Sequence, residues 1–346
     1  MTEAPPAVAQ RPAIADGVAA PRLPAPRGPL SSAVVAALSG PPGPLSLPRP
    51  DVADPLADDD LQLALYTCYE LHYRSFAGVD ERWEWDPRLL AVGAELEAVF
   101  EAALRRSVGA AAAVAPDAVE AELRRMVADD DGPPLSRTLE RTASLVQFRE
   151  FMIHRSAYQL KEADPHSWAV PRLAGRPKEA LVEVQADEYG GGRPGRMHAS
   201  LFAASMRAVG IDDTYGAYLD AIPGTTLATV NLMSLLGLHR RLRGGIVGHL
   251  AAFEMTSPEP NRRYGNGLCR LGCDRAATEF FDEHVEADAV HEAVAAHDLA
   301  QGLAVAEPDL VPDILFGAAA LLQLEARFAG HLLDRWAAGG SSLRPC

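Results

Sequence analysis

The stretch Phe280–Glu292, F-F-D-E-H-V-E-A-D-A-V-H-E, constrains the fold of this chain more than any other. It places His284, Asp288 and His291 at positions i, i+4 and i+7. At about 100° per residue these side chains project at about 0°, 40° and −20°, a single stripe of one helix. Imidazole and carboxylate together are ligands for iron, zinc or manganese. Buried without partners, they would cost several kcal/mol. The stripe therefore faces either water or a metal, and its spacing alone does not choose between the two. Asp282, Glu283, Glu286 and Glu292 lie off the stripe and read as surface.

A helix with such a face needs other helices to pack against, and the rest of the chain supplies them. Period-2 alternation is almost absent. Helical periodicity runs through 61–76, 89–108, 117–127, 135–160, 176–189, 197–209, 225–237, 239–255, 275–300 and 309–338, with 135–160 expected to kink near Val146. Pro87, Pro116 and Pro177 stand in first-turn positions, and Gly210 stands where a C-cap belongs. The expected fold class is all-α, with residues 53–346 forming a single bundle of long helices. Residues 1–52 hold 12 of the 27 prolines and no aromatic residue. They are expected to be disordered, with a weak helix at Ser32–Leu38, and docking on the body or on a partner is the alternative.

The formal net charge of −15 argues against a nucleic-acid partner. No apolar run reaches 18 residues, so no membrane span is expected. The N-terminus lacks a basic segment followed by an apolar one, so it does not read as a secretory signal. Four cysteines, Cys68, Cys269, Cys273 and Cys346, make neither a disulfide framework nor a metal signature. The expectation is a reduced, cytoplasmic protein.

Outside the stripe, three places carry acids of interest. Glu188 is followed by three glycines and then His198, ten residues on. A straight helix would hold the two side chains roughly 80° apart, and a break at the glycines brings them together. Glu254 ends an otherwise apolar helix, where the dipole offers a carboxylate nothing. Glu162 lies at another helix end, beside Lys161. Taken singly, each is also an ordinary helix-end acid. Other signals fail. His291 and His297 are six apart rather than the four of a zinc-protease helix, and no Glu-x-x-His occurs.

Taken together, Glu188…His198…Glu254…His284-x3-Asp288-x2-His291 resembles the ligand pattern of the haem-oxygenase-like di-iron oxidase superfamily, the iron-containing redox enzymes. Glu254 precedes His284 by 30 residues, as in that group, and Glu162 precedes Glu188 by 26. An extra glutamate at that interval is a feature of the N-oxygenating members. The resemblance covers about residues 145–300, and the first helices are additional to it.

The resemblance implies a haem-oxygenase-like helical bundle with extra N-terminal helices, which elaborate the domain or serve a homodimer. It implies two Fe(II) ions shared among Glu188, His198, Glu254, His284, Asp288 and His291, with Glu162 as a seventh ligand. It leaves open which residue serves which iron, and no further catalytic residue is singled out. The partners implied are O2 and a small organic substrate, oxidised through a peroxo-di-iron(III) intermediate. Glu162 leans the reaction towards N-oxygenation of an amino-acid-like amine or guanidine. The alternatives are C–C cleavage or desaturation at the same site, a metal-free enzyme of the same topology (thiaminase-like or a cofactor-less oxidase), and a non-catalytic binding protein.

Overall fold

The computed structural model describes residues 20–345, with the backbone alone for residues 286–290. Among the described residues there is no β-strand, and the chain is all-α. The helices are α1 (Pro29–Leu38), α2 (Asp59–Glu70), α3 (Pro87–Val108), α4 (Val119–Ala128), α5 (Leu135–Arg141), α6 (Leu145–Gln159), α7 (Asp164–Ser167) and α8 (Gly175–Glu188). They continue with α9 (His198–Ala208), α10 (Gly224–Leu238), α11 (Arg243–Thr256), α12 (Pro258–Arg270), α13 (Arg275–Ala293), α14 (Gly302–Ala306) and α15 (Val311–Ala337).

Local chemistry sets many of these ends. Asp58 caps α2 by accepting from Leu61 N, and Asp86 with Pro87 opens α3. The segment expected to run as one kinked helix over 135–160 is two helices, α5 and α6. Ser144 and Gln147 form a capping box that starts α6 afresh. The motif helix is α-helical only to Ala293; Val294–Gln301 continues it as a π-helix. Such widened turns often sit beside functional residues.

Two apolar clusters hold the bundle. The larger joins α2, α3, α10, α11 and α15. The smaller is rich in phenylalanine, with Phe148, Phe151, Phe202, Phe280, Phe281 and Phe328 from α6, α9, α13 and α15. The close crossing of α11 and α15 depends on small residues. A Cβ at Gly248 would overlap the Ile314 carbonyl, and one at Gly317 would overlap that of Gly245. The glycines that make 239–255 a poor helix by propensity are what lets its backbone approach α15.

The disorder expected for residues 1–52 does not hold over the part described. Residues 20–52 are placed on the body, and α1 buries Leu30, Val34 and Leu38. Asp60 of α2 accepts from Leu30 N and Ser31 N, both at 2.8 Å, filling the exposed N-terminus of α1. The alternative, docking on the body, is what the structure shows: a proline-rich arm without a core of its own packs on another. Residues 1–19, and the part of the disorder expectation that falls on them, lie outside the described residues.

Candidate metal centre

The break at the glycines does what the sequence required of it. Glu188 is the last residue of α8 and His198 the first of α9. Gly190, Gly191 and Gly192 all have positive φ, at 69°, 58° and 71°. A Cβ on Gly190 would stand 2.6 Å from the Arg196 carbonyl oxygen. The turn folds back tightly and is pinned by Arg196, which pairs with Glu279 and Glu283 of α13. Glu283, expected at the surface, therefore anchors this loop to the motif helix.

Six of the seven expected ligands come together. Glu162, in the turn after α6, is 4% exposed, Glu188 8%, His198 2%, Glu254 4%, His284 3% and His291 2%. They form two groups whose ligand atoms lie within 4.8 Å of one another. One group is Glu162, Glu188, His198 and His284; the other is Glu188, Glu254 and His291. Glu188 belongs to both. The side chain of Asp288 lies outside the described residues.

The donor set fits a metal on its own chemistry. His198 Nδ1 is 2.8 Å from Glu188 Oε2. Neither atom makes a hydrogen bond among the described residues, and Glu162 Oε2 makes none either. Buried polar atoms normally find partners, and a cation among these ligand atoms, all within 4.8 Å of one another, would supply one. His284 donates Nδ1–H to the Phe280 carbonyl at 2.8 Å. Its Nε2 then faces Glu162 at 3.4 Å. His291 presents Nδ1 towards Glu254 at 3.6 Å and places Nε2 3.1 Å from Asp187 Oδ2. Three carboxylates share a cavity of ≈ 10 Å³ whose described lining includes no Lys or Arg. With imidazoles and carboxylates and no thiolate, the set suits iron, manganese or zinc.

Burial and neighbouring charges pull these groups in opposite directions. Burial pushes Glu162 up, against the pull of His284. Burial also acts to raise Glu188, but His198 outweighs it and holds Glu188 below the usual range. Burial would lower His291; the Glu254 and Asp187 carboxylates overcome it and raise it to about 9. A metal bound there would displace a proton.

The groups open on one side. Glu162 and His284, with Tyr158 and Phe253, also line a cleft of ≈ 780 Å³. Its wall carries Arg155, paired with Glu325 at 2.8 and 2.6 Å. Burial pushes the Tyr158 phenol far up, and the nearby Glu162, Glu188 and Glu254 add to the shift.

Sequence reasoning did not single out Tyr158 or Asp187. Tyr158 stands four residues before Glu162 and Asp187 one before Glu188, a proximity that was the only available signal. His297, set aside from the sequence, is a surface residue paired with Glu120 at 2.8 Å. Glu292 pairs with Arg124 at 2.6 Å on the surface, as expected for an off-stripe acid. No helix among the described residues is long and apolar enough to cross a membrane.

Comparison with known proteins agrees with this geometry. The chain is similar to a nitrosourea synthase of Streptomyces achromogenes subsp. streptozoticus, 28% identical over 159 residues. That match spans 46% of this chain and only 34% of the relative. Among solved structures it is similar to a CADD-like protein of unknown function from Nostoc punctiforme, with a TM-score of 0.50 and 18% identity over 63% of this chain and 97% of the other. A domain of unknown function with a heme oxygenase-like fold from Shewanella denitrificans has a TM-score of 0.50 and 14% identity over 68% of this chain and all of the other (100%). At these identities the two structures bear on the fold alone, which is haem-oxygenase-like. A family model described as iron-containing redox enzyme matches residues 149–326. That span holds all seven expected ligands, and α1 to α5 precede it as the additional helices. The chain thus belongs to the iron-containing redox enzymes and is an iron-dependent oxidoreductase.

Proposed function

We propose that this chain is a di-iron oxygenase that uses O2 to oxidise a small organic substrate bound in the cleft beside Glu162 and His284. One observation carries the reading: two buried ligand groups overlap at Glu188, and one of them opens on a cleft large enough for such a substrate. Glu162, His198 and His284 would hold one iron, Glu254 and His291 the other, with Glu188 between them. Asp288 stays in the proposed set on the spacing argument. When bound, the metal pair supplies electrons for the reduction of O2.

The chain's own residues do the remaining work. The Phe280 carbonyl fixes which nitrogen of His284 faces inward. Carboxylates tolerate changes in the number of oxygens they offer, whereas the imidazoles hold position. Tyr158 and Phe253, packed edge to face with centroids 5.5 Å apart, line both the small cavity and the cleft beside Glu162 and His284. There they narrow the path for water and present the substrate to the Glu162 side.

N-oxygenation is the finer reading. It is supported by Glu162 standing among the ligands, and by the relative whose name describes a product with nitrogen bonded to oxidised nitrogen. The proposed substrate is an amine or guanidine, and the peroxo-di-iron(III) stage belongs to the same proposal.

The test is anaerobic loading with Fe(II), metal analysis, and rapid mixing with O2 under optical detection. Two irons per chain and a transient visible band are expected. Candidate amines and guanidines should then be oxidised at nitrogen. A protein that takes up no iron under reducing conditions overturns the reading in favour of a metal-free enzyme or a binding protein. A product cleaved at carbon, or desaturated, overturns only the N-oxygenation.

A further inference from the structure

His284 and His291 meet their sites through opposite ring nitrogens, and different acceptors hold them. For His284 the acceptor is a main-chain carbonyl of its own helix, that of Phe280. For His291 it is Asp187, on α8, with Oδ2 3.1 Å from Nε2. The two residues are unlike in exposure: the His291 side chain is 2% exposed and that of Asp187 62%.

We infer that Asp187 is a positioning residue for the second metal. By accepting Nε2–H, it fixes the ring with Nδ1 turned to Glu254, so that Nδ1 is the nitrogen that gives up its proton to a metal. The inference rests on the two-metal reading above and adds to it a residue outside the ligand set.

The physical case has three parts. A metal-binding imidazole carries its hydrogen on the nitrogen away from the metal, and that N–H needs an acceptor. In a ring this buried, an unsatisfied donor costs about 1–3 kcal/mol. A carboxylate as exposed as Asp187 gains little from leaning on a buried ring unless the contact fixes something, since exposed pairs contribute about 0–1 kcal/mol. The neighbouring residue, Glu188, is the carboxylate common to both groups. One turn of α8 therefore sets both the shared ligand and the orientation of the second group's histidine. His284 of the first group has no such dependence: it is held by the Phe280 carbonyl, a main-chain group that no side-chain substitution removes.

Anaerobic Fe(II) titration of the full chain tests this, with wild type, Asp187→Ala and Asp187→Asn compared. Outer hydrogen-bond partners of metal ligands typically change affinity by about 10–100-fold. In Asp187→Ala the second equivalent should weaken by about that factor while the first stays unchanged. Asp187→Asn, which keeps an acceptor oxygen, should restore most of the loss. Nitrogen-15 NMR of the zinc-loaded full chain, where the metal has displaced one ring proton, should show His291 as the Nε2–H tautomer in wild type, with that preference lost in Asp187→Ala. Equal affinity for both equivalents in wild type and Asp187→Ala, or an equal loss at both, overturns the role of Asp187. Wild type that does not bind two equivalents overturns the two-metal reading, and this inference with it.

Discussion

His198 Nδ1 lies 2.8 Å from Glu188 Oε2, yet the two atoms make no hydrogen bond with each other. A protonated ring so close to a carboxylate would ordinarily turn to donate to it. The alignment fits two ligands converging on one cation. Among the described residues Glu188 alone belongs to both groups, so its removal should act on both of the proposed metals. Glu188→Ala is expected to reduce iron content after anaerobic loading towards zero. His198→Ala and Glu254→Ala should each leave close to one iron per chain. Metal analysis of the three proteins checks this. A Glu188→Ala protein that keeps as much iron as Glu254→Ala would remove Glu188 from its shared position.

The approach of Glu188 to His198 depends on a turn that tolerates a side chain at some glycines and not at others. Gly190 and Gly192 share a left-handed φ, at 69° and 71°. Only at Gly190 would a Cβ meet the backbone, 2.6 Å from the Arg196 carbonyl; at Gly192 nothing lies within 4 Å. Gly192→Ala should therefore cost about 1 kcal/mol from the positive φ alone. Gly190→Ala should cost about 2–4 kcal/mol, adding steric strain to the same penalty, and should lower iron affinity at the His198 side. Thermal denaturation and Fe(II) titration separate the two variants. Equal effects would mean the close approach is not what holds the turn.

These contacts show where the sequence was legible. The stripe of His284 and His291 could be read because helical geometry converts spacing directly into direction. Glu254 and Glu162 could be read only through their intervals to other ligands, since a helix-end acid has no local signature. The meeting of Glu188 with His198 was anticipated from the glycines, but not its tightness, which depends on Arg196 reaching Glu279 and Glu283 across the fold. Asp187 was invisible: its partner is 104 residues away, and an exposed aspartate on a helix is ordinary. The docking of α1 was only the second reading of its composition, for a related reason. Composition reports whether a segment can build a core, and α1 instead borrows one, through Asp60 and the apolar surface of α2.

Stability should fall on the acid side of neutrality, and buried histidines set the window. His166 is fully buried and donates to or accepts from His249 at 3.1 Å. Burial pushes it from 6.5 down to about 4. His154 and His249 are pushed down for the same cause. A folded pKa below the unfolded one means that the unfolded chain binds more protons as pH falls. The contribution of His166 is thus complete above about 6.5 and is lost progressively as pH falls towards 4. A displacement of this size is worth about 3 kcal/mol. Denaturant titrations at stepped pH should show the loss, and His166→Gln should flatten the slope. An unchanged slope in that variant would place the acid sensitivity elsewhere.

Lys161 and Glu70 form a pair with side chains 1% and 0% exposed, at 2.6 Å. The pair joins α2, one of the additional helices, to the turn carrying Glu162. Tyr215 donates to the other oxygen of Glu70 at 2.7 Å. The ammonium also stands 4.2 Å from the Tyr73 ring centroid and 5.0 Å from that of Tyr66. Removing one member strands a charge in a dry interior, so Lys161→Met should cost about 3–5 kcal/mol. Removing both leaves the Tyr215 and Tyr66 hydroxyls without their Glu70 acceptor but strands no charge, and a buried hydroxyl left so costs about 1–3 kcal/mol. Glu70→Met combined with Lys161→Met should therefore be more stable than Lys161→Met alone. The single variant should also weaken iron binding, because Glu162 follows directly in the chain; the double variant should recover part of that affinity. Denaturation curves and Fe(II) titrations on the same three proteins give both numbers. If the double variant is as unstable as the single one, the pair's role is in packing, through the aliphatic stem of Lys161 against the tyrosines, and not in charge compensation.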